Sequence, residues 1–161
     1  MDIPLIEQVN IQARALVPLV KALQAELGEE RANAIVRGAL GGLFRAYGER
    51  WWRDRGDQSL GEKVASAFRM FAADGALDYE VVRETPQAVE LHVTQCRYAE
   101  FYKKIGAPEL GFLLTCSGDA DFFHPGPFDA DARLTVTQTI MRGANHCVFR
   151  FERPQGKPGG E

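Results

Sequence analysis

The sequence predicts an α+β fold: N-terminal helices packed on a four-stranded antiparallel sheet made of two hairpins. Two observations carry this expectation. Apolar residues recur at three-and-four spacing through roughly the first seventy positions, then alternate with polar ones near residue 78 and again near 132. The strands also arrive as adjacent pairs, which favours antiparallel pairing within one sheet. The chain has 161 residues, 45% hydrophobic and 25% charged, a composition that suits a globular protein. The expected layout is one domain over residues 1–152 and a flexible tail over 153–161, where "RPQGKPGGE" is rich in Pro and Gly.

The first helix follows Ile3, Ile6, Val9, Ala13, Leu16, Val17, Val20, Leu23 and Leu27. Pro18 lacks a backbone donor and collides with the preceding turn, so a kink or break is expected there. Gly28 closes this segment, and Glu29 and Glu30 open a second helix where the dipole favours acids. Gly38, Gly41 and Gly42 each cost that helix about 1 kcal/mol relative to Ala, so tight packing against a neighbour is expected. Trp51 and Trp52 are adjacent and cannot both face one core; one is expected at a homodimer contact. Ser59 is the N-cap of a third helix carrying Leu60, Val64, Phe68 and Phe71, which Asp74-Gly75 ends.

The period then changes to two. "LDYEVVRETPQAVELHVTQC" reads as a hairpin around Pro86, with Val89, Leu91 and Val93 facing the core. Residues 97–123 are helical again, split at Gly106, with Pro108 suited to a first helical turn. "RLTVTQTIMRGANHCVFRFE" gives the second hairpin, turning at Gly143–Asn145.

Charge excludes some function classes. Nineteen basic against twenty-two acidic residues give a net charge of -3, which argues against a nucleic-acid partner. No apolar run reaches the ~18–20 residues that would cross a bilayer, so no membrane partner is expected. Acids at Asp2 and Glu7, with no basic region before an apolar block, do not read as a signal peptide. The expected location is the cytoplasm, and the three cysteines, Cys96, Cys116 and Cys147, are expected to be reduced.

No nucleotide-binding glycine loop, GxSxG or HExxH is present. Chemistry concentrates instead in "LLTCSGDADFFHPGPF", a polar cluster between apolar residues. Cys116 and Asp119 are three apart and share one face of a helix. A buried Asp119 needs a cation, a donor or a ligand; alternatively it braces a loop through Arg133 or Arg142. His124 is expected in a loop after that helix. His146 and Cys147 are adjacent strand residues and point to opposite faces. Cys147 falls in phase with Phe149 and Phe151, toward the core.

The second half resembles the L-2-amino-thiazoline-4-carboxylic acid hydrolase family. Cys96 precedes Gly106, Pro108, Glu109 and Leu110; Cys116 and Asp119 follow as Cys-x-x-Asp, then Arg133, Gly143, Cys147 and Phe149. The resemblance spans roughly residues 85–152. Leu134 departs from its pattern by standing between Arg133 and Thr135, and Val148 stands where an Asp is expected between Cys and Phe. It implies hydrolysis of a carbon–nitrogen bond in a small cyclic amidine, thiazoline or related cyclic amide, opening the ring to an N-carbamoyl amino acid. On that reading Cys116, Asp119 and Cys147 are catalytic, and Cys96, Arg133, Arg142 and His124 bind the substrate. Asp119 would pair with the amidine, an arginine with the substrate carboxylate, and a thiolate or water would attack. No cofactor is expected, although a Cys₃ or Cys₃His set would suit zinc. The rival reading is a non-catalytic binding domain, because helices followed by paired strands also resemble small-molecule- or metal-binding domains of the vinyl-reductase and haem-sensor type.

Overall fold

The computed structural model describes residues 2–155, so the tail expected to be flexible lies largely outside the described residues. The chain begins with α1 (Leu5–Leu27) and α2 (Glu29–Trp52), joined by Gly28 at φ 84°. α1 is continuous through Pro18, against expectation. Val17 and Val20 on either side of the proline are buried, whereas Pro18 itself faces solvent. Packing therefore holds both flanks, and the broken backbone bond falls on the side where water replaces it.

α3 (Leu60–Phe71) starts at a reciprocal cap: Ser59 Oγ accepts from the Glu62 N–H, and the Glu62 carboxylate accepts from the Ser59 N–H. Asp74 at φ 57° and Gly75 at φ 71° turn the chain into the sheet. β1 (Leu77–Thr85) and β2 (Ala88–Cys96) form the first hairpin; β3 (Arg133–Gln138) and β4 (Cys147–Glu152) form the second. All pairs are antiparallel and the strand order is β1-β2-β4-β3. The α+β expectation holds, with no helix among the described residues long and apolar enough to cross a membrane.

Strand alternation places Val89, Leu91 and Val93 with Cys147, Phe149 and Phe151 on the inner face. Trp52, Phe68, Phe122, Phe123 and Phe128 fill the space between that face and the helices. Trp51 corrects the expectation that adjacent tryptophans cannot both face one core. It is half-buried against this same core, and the Arg55 guanidinium lies 3.9 Å from its ring centroid. A second core joins α1 to α4 (Arg97–Lys104) and α5 (Pro108–Leu114) through Val17, Val20, Tyr102, Leu110 and Leu114. Met141 is inserted into that second core from a 3₁₀ turn over Ile140–Arg142. Its burial draws the second hairpin's connection inward and makes it longer than the tight Gly143–Asn145 turn expected.

α6 (Asp119–Phe122) is short and lies against α2. A Cβ at Gly48 would stand 2.4 Å from the Phe122 carbonyl oxygen, and one at Gly41 3.2 Å from Asp121 Oδ2. Trp52 Nε1 donates to the Phe122 carbonyl at 2.8 Å, and Arg37 and Arg45 pair with Asp121 at 2.5 and 3.4 Å. Of the three glycines expected to pack tightly, only Gly41 does; a Cβ at Gly38 or Gly42 would meet nothing within 4 Å. Gly48→Ala should therefore destabilise the fold by about 1–3 kcal/mol through forced displacement of α6. Gly38→Ala should stabilise it by up to about 1 kcal/mol. Chemical denaturation of the two variants checks both signs.

Candidate active site

The site is built where the two cores meet. α5 ends at Leu114, because Thr115 (φ -125°, ψ -69°) leaves helical geometry. The next turn, Cys116–Gly118, is 3₁₀ and leads directly into α6. Cys116 and Asp119 are thus not on one regular α-helix as expected. A 3₁₀ turn, however, repeats every three residues and aligns i with i+3 more closely. Ser117 Oγ donates to the Leu113 carbonyl at 2.6 Å, and Gly118 lies against the Phe44 ring, which together fix the turn.

Two further thiols reach the same place from the sheet. Cys96 ends β2 and caps α4, its Sγ accepting from the Ala99 N–H at 3.4 Å. Cys147 begins β4 on the inner face, its Sγ accepting from the Ile140 N–H at 3.2 Å. The charges of Asp119, Cys96 and Cys147 all act on Cys116, and Asp119 also acts on Cys96 and Cys147. Groups from three parts of the chain are therefore near enough to influence one another's ionisation. All three thiols are free.

Burial dominates the chemistry of this cluster. It raises Cys96 to about 11, drives Cys116 well above the usual thiol range and raises Cys147. The Ile140 N–H and the Lys103 ammonium partly oppose the rise at Cys147. Lys103 carries no motif signal; only its position on α4 brings its charge near. Asp119 keeps some exposed surface but is enclosed enough that burial pushes its carboxyl up to about 7. Among the described residues it makes no ion pair; the arginine-braced carboxylate is Asp121, held by Arg37 and Arg45.

The remaining expected site residues are dispersed. Arg133 is exposed, donates to the carbonyls of Ala130, Asp131 and Ala132, and lies opposite Glu152. That register is five residues along β4 from Cys147, about 17 Å at strand spacing. Arg142 is exposed on the 3₁₀ turn next to the cluster, its guanidinium 3.3 Å from the Phe112 ring centroid. His124 is half-buried just beyond α6, and its carbonyl accepts from the Phe128 N–H. His146 points away from Cys147 and packs on His92 of β2, with ring centroids 4.8 Å apart. No three His, Cys, Asp or Glu side chains among the described residues are arranged to hold a metal ion. Two surface grooves, one including Arg133 and the other at the Gly28 junction, contain none of the four clustered groups.

The family model for L-2-amino-thiazoline-4-carboxylic acid hydrolase matches residues 8–151. The chain belongs to that family, and the match takes in the helical half as well as the motif-bearing half. No curated protein matches the chain.

The raised Asp119 pKa carries a stability consequence. The folded carboxyl titrates near 7, above its unfolded value of about 4, so its contribution is fully present below that lower value and is lost as pH rises through 7. Asp119→Asn removes the titration. Its melting temperature relative to the natural protein should therefore be higher above pH 7 than at pH ~4. Thermal melts at the two pH values test this.

Proposed function

We propose, from that family membership and the convergence of three thiols on one carboxylate, that the protein hydrolyses a small cyclic amidine of the 2-aminothiazoline type. The observation that carries the reading is Asp119: an enclosed carboxyl without an ion-pair partner among the described residues, whose charge acts on Cys116. A cationic amidinium supplies the charge that burial denies it. The same cation favours ionisation of the neighbouring thiol, which stays protonated in the free site.

The bonds balance as follows. Asp119 takes the Cys116 proton while Sγ bonds to the amidine carbon, and the C=N pair moves onto nitrogen. The ring bond then breaks, and the departing ring atom takes the proton from Asp119. Water adds to the remaining carbon and expels Cys116; one of its protons returns to Sγ, the other passes to solvent, and a carbonyl is left. Departure of the ring nitrogen is carbon–nitrogen cleavage and leaves an S-carbamoyl product with a free amine. Departure of the ring sulfur leaves the N-carbamoyl product with a free thiol. An N-carbamoyl amino acid therefore requires the carbon–sulfur route, and thiol titration of the product distinguishes the two. In this reading Arg142 receives the substrate carboxylate, which is supported by its place on the turn that supplies the Ile140 donor to Cys147. Cys147 and Cys96 line the site, and the chemistry needs no cofactor.

With 2-aminothiazoline-4-carboxylate as probe, Cys116→Ser should lower turnover by at least a hundredfold while the circular dichroism spectrum is unchanged. Asp119→Asn should lower kcat as well as raise KM, because it removes both the proton carrier and the counter-charge to the amidinium, and kcat/KM of the natural protein should climb with pH through about 7 as Asp119 ionises. Full activity in Cys116→Ser would make water the nucleophile. Stoichiometric retention of the probe without turnover would establish a binding domain instead.

A further inference from the structure

Tyr102 of α4 is a buried phenol that the proposed ring opening does not use. It is 2% exposed and lies lengthwise against α5, meeting one residue per helical turn. Its carbonyl accepts from the Ala107 N–H at 2.9 Å. Its ring covers Gly111, where a Cβ would stand 2.5 Å from Tyr102 Cγ and 2.6 Å from Met141 Sδ. Its hydroxyl then reaches Thr115, whose side chain is its hydrogen-bond partner. Positions 107, 111 and 115 are four apart and fall on one face of α5, in the order in which a tyrosine extends from backbone to hydroxyl. The reach fits, since the Cβ and hydroxyl oxygen of a tyrosine are separated by about the 5.4 Å pitch of a helix. Glycine is unfavourable inside a helix of seven residues, and the ring gives the reason for it: only a residue without a Cβ admits the phenol at that depth.

Thr115 is the joint between two helical geometries. Its N–H keeps the α-helical bond to the Gly111 carbonyl at 3.0 Å, while its carbonyl already serves the 3₁₀ turn, accepting from the Gly118 N–H at 3.1 Å. Cys116 follows directly, packs against the same core as Tyr102, and its charge is felt at the phenol. We propose that Tyr102 is a positioning residue for Cys116: through Thr115, its hydroxyl fixes where α5 stops and thereby aims the thiol toward Asp119. That role rests on the reading of Cys116 as nucleophile and adds to it a residue that needs no contact with substrate. Aim matters because the thiol proton passes to Asp119 as Sγ attacks, and both transfers depend on alignment.

Tyr102→Phe keeps the ring on Gly111 and removes the hydroxyl alone; Thr115→Val removes its partner. With 2-aminothiazoline-4-carboxylate as probe, each should lower kcat about tenfold and leave KM within about twofold, because only the line of attack is lost. The double variant should be no slower than either single one. Thr115→Ser, which keeps a hydroxyl, should recover most of the turnover that Thr115→Val loses. Iodoacetamide alkylation, mapped by peptide mass spectrometry, supplies a readout independent of turnover. Cys116 should react about fivefold faster or more in Tyr102→Phe and Thr115→Val, with Cys96 and Cys147 unchanged, because only the turn carrying Cys116 is released. Natural Cys116 reactivity in both variants overturns the proposal, as do equal accelerations at all three thiols, which mark a loosened core. Additive kcat losses in the double variant overturn it too. A probe that the natural protein never hydrolyses defeats the hydrolase reading, and selective release of Cys116 in that case still establishes Tyr102 as its positioning residue.

Discussion

The close approach of α6 to α2 is the constraint on which the candidate site depends. A four-residue helix has too few internal hydrogen bonds to hold its own orientation, so its neighbours must supply it. They do so through contacts of different kinds. Gly48 lets the α6 backbone in, Gly41 leaves room for the Asp121 carboxylate, Trp52 Nε1 donates to the Phe122 carbonyl, and Arg37 and Arg45 neutralise Asp121. Asp119 opens the same short helix. Its position beside three thiols follows from α2, a helix that contributes none of those four groups.

The two carboxylates of α6 illustrate how environment assigns roles. Asp121 has two guanidiniums within 4 Å and serves as a structural anchor. Asp119, two residues earlier, has no ion-pair partner among the described residues and is pushed up to about 7 by burial. Asp129 provides a third case. Burial there would raise the carboxyl, but Arg153, the Ala132 and Asp131 N–H groups and Lys63 outweigh it and hold the group well below the usual range. Each of these acids stands in a buried or enclosed setting; of the three, Asp119 is the one without an ion pair among the described residues. A fold that tolerates such a group sacrifices stability at neutral pH, as functional sites commonly do.

Much of the fold was legible because it depends on local chemistry. Ser59 is the N-cap that its type suggested, Gly106 and Pro108 divide α4 from α5, and alternation put Cys147 on the inner face with Phe149 and Phe151. The misses were tertiary. Nothing local in "LVPLV" shows that buried Val17 and Val20 will carry a helix through Pro18. Nothing in "QTIMRG" shows that Met141 will be drawn into a distant core. The three-residue spacing of Cys116 and Asp119 was legible in the sequence, whereas the pairing of Asp121 with Arg37, 84 residues away, was not. Lys103 was missed for the same reason: charge near Cys147 follows from how α4 packs, and no motif records it.

Strand geometry also bears on the departure at Val148. Cys147 and Val148 are neighbours in a strand, so their side chains point to opposite faces of the sheet. Cys147 belongs to the inner core, while Val148 pairs in register with His92 of β2 and Gln138 of β3. That outer face carries the packed rings of His92 and His146 and the Glu90–Arg150 ion pair. An Asp at position 148 would thus stand among imidazoles on the face away from Cys116 and Asp119. Its replacement by Val changes the charge of the outer sheet face and leaves the thiol–carboxylate cluster intact. Whatever an Asp would orient at this position, it would act on the histidine side of the sheet. The cluster proposed for ring opening therefore depends on α6, β2 and the first residue of β4, and on nothing that Val148 replaces.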